Sequence, residues 1–145
     1  MIAEITYHPD WTENSLMVKA YHPLAVPTRI GEARGDILGN GTGFLGDVCV
    51  KEEFETRGWF LGLGKRKIGV RDKGVGSKLL EIFESEMLSR GVTQIKGNLT
   101  PEIPEKLDWL IQWYQKRGYD FTPDETTGVW APPGTCGVVS KFIRK

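Results

Sequence analysis

The chain predicts an α/β (α+β) domain built on a mixed sheet. Three observations carry that expectation. The first half is a succession of short β-prone runs separated by glycine and proline turns. The second half holds two stretches with apolar residues at helical spacing, Val75–Arg90 and Glu105–Arg117. Further strand-like runs lie between and after them, so the order is strands, helix, strand, helix, strands. With 145 residues, a single domain spanning 1–145 is large enough to bury a core.

Each element has its own reason. Ile2–His8 and Ser15–Tyr21 are β-prone, and in the second Leu16, Val18 and Ala20 share a face. His22–Pro27 is bracketed by prolines and reads as a loop. Thr28–Leu38 reads as a strand interrupted by Gly31 and Gly35, and Gly39-Asn40-Gly41-Thr42-Gly43 as a turn. Phe44–Glu55 reads as one extended run, with Val48, Val50, Glu52 and Phe54 on one side. After the Arg57-Gly58 turn, Trp59–Leu63 is a short apolar strand. In the first helix Val75, Leu79, Leu80, Ile82, Phe83 and Met87 form the apolar stripe, and Gly91 stops it. Val92–Asn98 is the next strand and Thr100–Pro104 a loop. The second helix carries Leu107, Leu110, Ile111 and Tyr114 on one stripe, with Gly118 past its end. Tyr119–Thr122 and Gly137–Ile143 close the domain as strands, and Trp130–Gly134 caps their hairpin.

Composition narrows the function classes. Lys+Arg and Asp+Glu balance at 19 each, so no global field points to nucleic acid or a membrane. Lys65-Arg66-Lys67 is the one local basic run. The N-terminus has no basic n-region or apolar h-region, and a cytoplasmic protein is the expectation. Cys49 and Cys136 have no metal-ligand spacing and read as free thiols, with no metal site expected. His8 and His22, each beside a proline, are expected at the surface.

The richest stretch is Arg71-Asp72-Lys73-Gly74-Val75-Gly76-Ser77-Lys78. Two glycines at the mouth of an amphipathic helix let backbone N–H groups approach a ligand closely. A helix N-terminus carries roughly half a positive elementary charge and unsatisfied donors, so it suits phosphate. Arg71, Lys73 and Lys78 add charge around it. The chemistry is that of a diphosphate cradle. A P-loop is excluded despite the Gly69–Gly74 spacing, because Val75-Gly76 stand where Lys and Ser/Thr are required. A dinucleotide fingerprint fails too, since Gly62-x-Gly64 is followed by Lys67 in place of the third glycine.

Arg71-x-x-Gly74-x-Gly76 ahead of a helix, with Trp113-Tyr114-x-x-x-Gly118-Tyr119 after the next strand, resembles the two motifs of the GNAT superfamily of N-acetyltransferases. The resemblance covers about Gly58–Thr122. It implies a mixed central sheet flanked by helices, acetyl-CoA as co-substrate, and transfer of the acetyl group to a primary amine of a small molecule or peptide. Arg71, Asp72, Lys73, Gly74, Val75, Gly76 and Ser77 would then bind the cofactor phosphates. The Trp59–Leu63 edge would pair with pantetheine, with an amide near Leu63 on the thioester oxygen. Tyr114 would be the general acid, and a homodimer through the C-terminal strands fits the family. The sequence departs from the pattern in three places. The strand before the cradle has no carboxylate base, which leaves Glu53 or Glu55, with Glu55 the candidate, or a water chain. Leu107 stands where an Asn often precedes the Tyr. Asp10–Pro27 has no helical pattern, so the family's first helical pair is reduced or absent. The competing reading is a non-catalytic acyl-CoA-binding or interaction domain on the same fold.

Overall fold

The computed structural model describes residues 5–22, 25–26, 29–50, 53–56, 67–69, 74–99, 107–123 and 137–143. In chain order the elements are β1 (Thr6–Thr12), β2 (Ser15–Tyr21), β3 (Ala25–Val26), β4 (Arg29–Gly39), β5 (Thr42–Val50), β6 (Glu53–Thr56), β7 (Lys67–Gly69), α1 (Val75–Ser89), β8 (Gln94–Leu99), α2 (Leu107–Gln115), β9 (Asp120–Pro123) and β10 (Gly137–Phe142). Hydrogen bonding orders seven strands as β1-β2-β4-β5-β8-β10-β9 and three more as β3-β6-β7. The fold is mixed α+β, as expected, and the only helices among the described residues are α1 and α2. None is long and apolar enough to cross a membrane. The chain clusters into two compact units, 1–35 with 47–86 and 36–46 with 87–145.

In the first unit β1 and β2 form a tight antiparallel hairpin, Thr6↔Tyr21 to Thr12↔Ser15. Its turn takes Glu13 to φ 55. A short turn thus stands where the family has its first helical pair, as the missing helical pattern implied. Of the strand expected at Ile2–His8, residues 2–4 lie outside the described residues, and β1 runs from Thr6 on to Thr12, straight through Pro9. β1 is a sheet edge, where a residue without an N–H is tolerated because its nitrogen can face away from the ladder. Leu16, Val18 and Ala20 are buried to within 1% of full burial, and His22 continues their alternation. His22 is therefore 8% exposed, which corrects the expectation of a surface residue. Its parity along the strand outweighs the neighbouring proline. On α1, Val75, Leu79, Leu80 and Phe83 are buried in the same way. Gly31 permits their packing: a Cβ there would lie 3.0 Å from the Cys49 carbonyl and 3.2 Å from Leu79 Cδ1. Trp11 Nε1 donates to Glu86 Oε1 at 3.0 Å, tying β1 to α1.

Three expectations change here. The single run Phe44–Glu55 divides into β5 and β6, and β6 joins the separate three-stranded sheet with β3 and β7. The loop His22–Pro27 contains β3, paired Ala25↔Thr56 and Val26↔Glu55. Part of the basic linker is strand β7, with Lys67 opposite Glu55. A run of alternating side chains marks extended backbone but not which sheet the backbone joins.

In the second unit the β4–β5 turn has Asn40 at φ 53 and Gly41 at φ 74, the left-handed pair that a two-residue hairpin requires. The Gly41 carbonyl accepts from Thr93 N at 2.8 Å and Gln94 N at 3.1 Å, which launches β8 beside β5. The ladder is parallel, Thr42↔Gln94 to Leu45↔Gly97. β10 pairs antiparallel with β8 and with β9. Both helices end as the sequence predicts. Gly91 (φ 86) and Gly118 (φ 91) turn left-handed, and Val92 N→Met87 O and Tyr119 N→Tyr114 O, each 3.1 Å, close the C-terminal turns.

Candidate functional site

Gly74 has φ 73, and a Cβ built on it would meet nothing within 4 Å. Its carbonyl accepts the first helical bond of α1, from Lys78 N at 3.0 Å. The amides of Val75 and Gly76 precede that bond and have no acceptor inside the helix. Gly76 and Ser77 are half-buried beside the fully buried Val75. No acidic residue sits in the first turn of this fifteen-residue helix, so nothing there opposes an anion. The predicted residues Gly74, Val75, Gly76 and Ser77 are thus brought together as one helix entrance. Among the described residues these features fit a phosphate group: backbone donors, open space beside Gly74 and no carboxylate in the first turn. Arg71, Asp72 and Lys73, like Leu63 and the Trp59–Leu63 run, lie outside the described residues, as do Cys136 and Trp130–Gly134. Lys78 is less available than its position implied, because its Nζ lies 3.8 Å from Glu81 Oε1. Glu55 lies in β6, in register with Val26 and Lys67.

In the second unit Tyr114 is the one buried residue of α2, at 8% exposure. Two aromatic rings pack edge-on against it: Trp113 at 4.9 Å and 84°, and Tyr119 at 5.5 Å and 73°. Edge-to-face geometry of this kind holds a ring in one orientation. Lys141 Nζ stands 5.5 Å over the Tyr119 ring. Arg117, which the sequence reading did not single out, stacks 3.8 Å over Trp113 and donates Nη1 to the Trp113 carbonyl at 2.7 Å. Burial lowers the Arg117 pKa, and its attraction to Tyr114 works against that shift. The four-residue spacing of Trp113 and Arg117 on a helix was the available signal.

The strand running parallel beside β8 is β5, which ends at Val50. The next β5 residue beyond the ladder, Gly46, is exposed. Cys49 is exposed on this strand.

No protein-family model and no curated protein matches the chain in sequence. Solved structures do match in fold. A GNAT family acetyltransferase from Elizabethkingia anophelis, solved with acetyl-CoA bound, superposes with TM-score 0.62 over 96% of this chain and 98% of its own, at 13% identity. A GNAT family acetyltransferase from Staphylococcus aureus gives TM-score 0.63 at 13% identity, over 90% of this chain and 68% of its own. The PaiA N-acetyltransferase of Thermoplasma acidophilum, in complex with coenzyme A, gives 0.55 at 15% identity, over 90% and 62% respectively. At such identities the likeness is one of architecture. The chain has the GNAT fold.

Proposed function

We propose that this protein transfers the acetyl group of acetyl-CoA to a primary amine of a small molecule or peptide. The observation that carries the reading is the entrance of α1: a left-handed glycine, open space around it and a first turn without a carboxylate, on a GNAT fold. The acetyl-CoA in the Elizabethkingia structure and the coenzyme A in the Thermoplasma one support the choice of co-substrate.

In the reaction the amine nitrogen attacks the thioester carbonyl carbon, the C–S bond breaks, and the departing thiolate takes up a proton. Backbone amides of Lys73–Ser77 hold the pyrophosphate, and Arg71 adds charge. Extended pairing with pantetheine and donation to the developing oxyanion fall to β5 beyond Leu45 rather than to Leu63, because β5 is the strand beside β8. Tyr114 returns the proton to sulfur, and the nearby Arg117 guanidinium steadies the phenolate that remains. Glu55 is the base that takes the amine proton. Orientation of the two reactants supplies much of the acceleration.

Calorimetric titration of acetyl-CoA into the protein, with dephospho-CoA and ATP as comparisons, tests the cradle. Tight saturable binding with weak ATP binding is expected, and no binding overturns the reading. With an amine panel read by thiol release, Tyr114→Phe is expected to lower turnover about 10²–10⁴-fold with acetyl-CoA affinity unchanged. Unchanged turnover removes Tyr114 from the mechanism. Binding without turnover on any amine leaves an acyl-CoA-binding domain.

A further inference from the structure

The β1–β2 hairpin carries a second arrangement that acyl transfer does not use. The register places His8 opposite Lys19, Thr6 opposite Tyr21 and Asp10 opposite Met17. Cross-strand partners share a face, so His8, Asp10, Lys19 and Tyr21 project on the side away from Leu16, Val18 and Ala20. They line, with Pro9, an open groove of about 510 Å³. That volume lies within the range of small-molecule sites.

The groove is organised. The His8 ring is braced by Thr6 Oγ1 at 3.3 Å from Nε2 and by the Tyr21 ring, edge-on at 5.4 Å and 70°. Asp10 and Lys19 are diagonal neighbours, a relation that places Cβ atoms roughly 7 Å apart. No ion pair joins them among the described residues. One anion and one cation therefore stand at neighbouring points of the same groove, separated by a gap and flanked by an aromatic edge.

We propose that this groove binds a free α-amino acid. The ligand's ammonium pairs with Asp10, its carboxylate with Lys19, and its side chain lies against His8 and Tyr21. An α-amino acid carries its ammonium and its carboxylate on one carbon and can satisfy both residues at once. A simple amine leaves Lys19 unmatched, and a simple carboxylate leaves Asp10 unmatched.

The test is a two-dimensional NMR titration of the full chain with L-alanine, ethylamine and propionate, and then with L-phenylalanine. L-Alanine is expected to shift the amides of Thr6–Asp10 and Lys19–Tyr21. Ethylamine and propionate, each lacking one charged contact, are expected to bind at least about tenfold more weakly. L-Phenylalanine is expected to bind more tightly than L-alanine. Asp10→Asn and Lys19→Met are each expected to abolish the L-alanine shifts while the remaining spectrum stays native. Equal binding of all three small ligands, shifts elsewhere only, or L-alanine binding retained in both variants would overturn the proposal. Absence of any shift at millimolar L-alanine overturns it as well.

Discussion

Gly97 lies opposite Leu45 in the β8–β5 ladder. A Cβ there would sit 2.9 Å from the Leu45 carbonyl oxygen, a backbone atom that cannot swing aside. Gly97→Ala is therefore expected to destabilise the protein by about 1–3 kcal/mol, read as a lowered urea midpoint at unchanged slope. A midpoint within error of the parent would mean that the strands can part there without loss. Tyr114 is legible at this scale in only one respect. Its place on the α2 stripe announced burial, and the structure adds the perpendicular packing of Trp113 and Tyr119 and the Arg117 guanidinium. His22 teaches the reverse. Its neighbour Pro23 marked a loop, yet its parity with Leu16, Val18 and Ala20 buries it. Alternation along a strand binds every second side chain to one face, and a proline one residue later does not cancel that.

The helices were readable as elements because their signals are local. α1 has a continuous apolar stripe, an entrance glycine and an exit glycine, and each acts within a turn of its own position. Gly91 is the cleanest test of such a signal. It has φ 86 and nothing within 4 Å of a Cβ, so alanine meets backbone strain and no clash. Gly91→Ala is expected to cost about 1–2 kcal/mol, measured by thermal or urea unfolding. A neutral result would show that the C-terminal turn of α1 relaxes to another geometry. The strands were harder. β5 and β6 are adjacent in sequence and both extended, yet they belong to different sheets. Partner choice depends on distant backbone groups, which alternation of side chains does not encode. β5 itself became the parallel neighbour of β8, a partner that its own side-chain pattern does not name.

At the scale of the molecule, the proposed function makes acetyl-CoA a stabilising ligand. A ligand at about one hundred times its dissociation constant stabilises the native state by about 2.7 kcal/mol. The melting temperature is accordingly expected to rise by several degrees with saturating acetyl-CoA, followed by calorimetry, and Gly76→Glu is expected to abolish the rise. A rise that survives Gly76→Glu would place the ligand away from the α1 entrance. The GNAT architecture was anticipated from two short motifs, and its seven-strand order was not contained in them. By itself the sequence determined the helices, their ends, the Asn40-Gly41 turn, the buried stripe of α1 and the glycine entrance at Gly74. These rest on interactions between residues a few positions apart, whose geometry the covalent chain already restricts. Only the tertiary structure decided which strands pair, that β3, β6 and β7 form their own sheet, and that His8, Asp10, Lys19 and Tyr21 share a groove. Each of these requires side chains or backbone groups remote in sequence to meet, and that meeting is settled by burial and register over the folded chain.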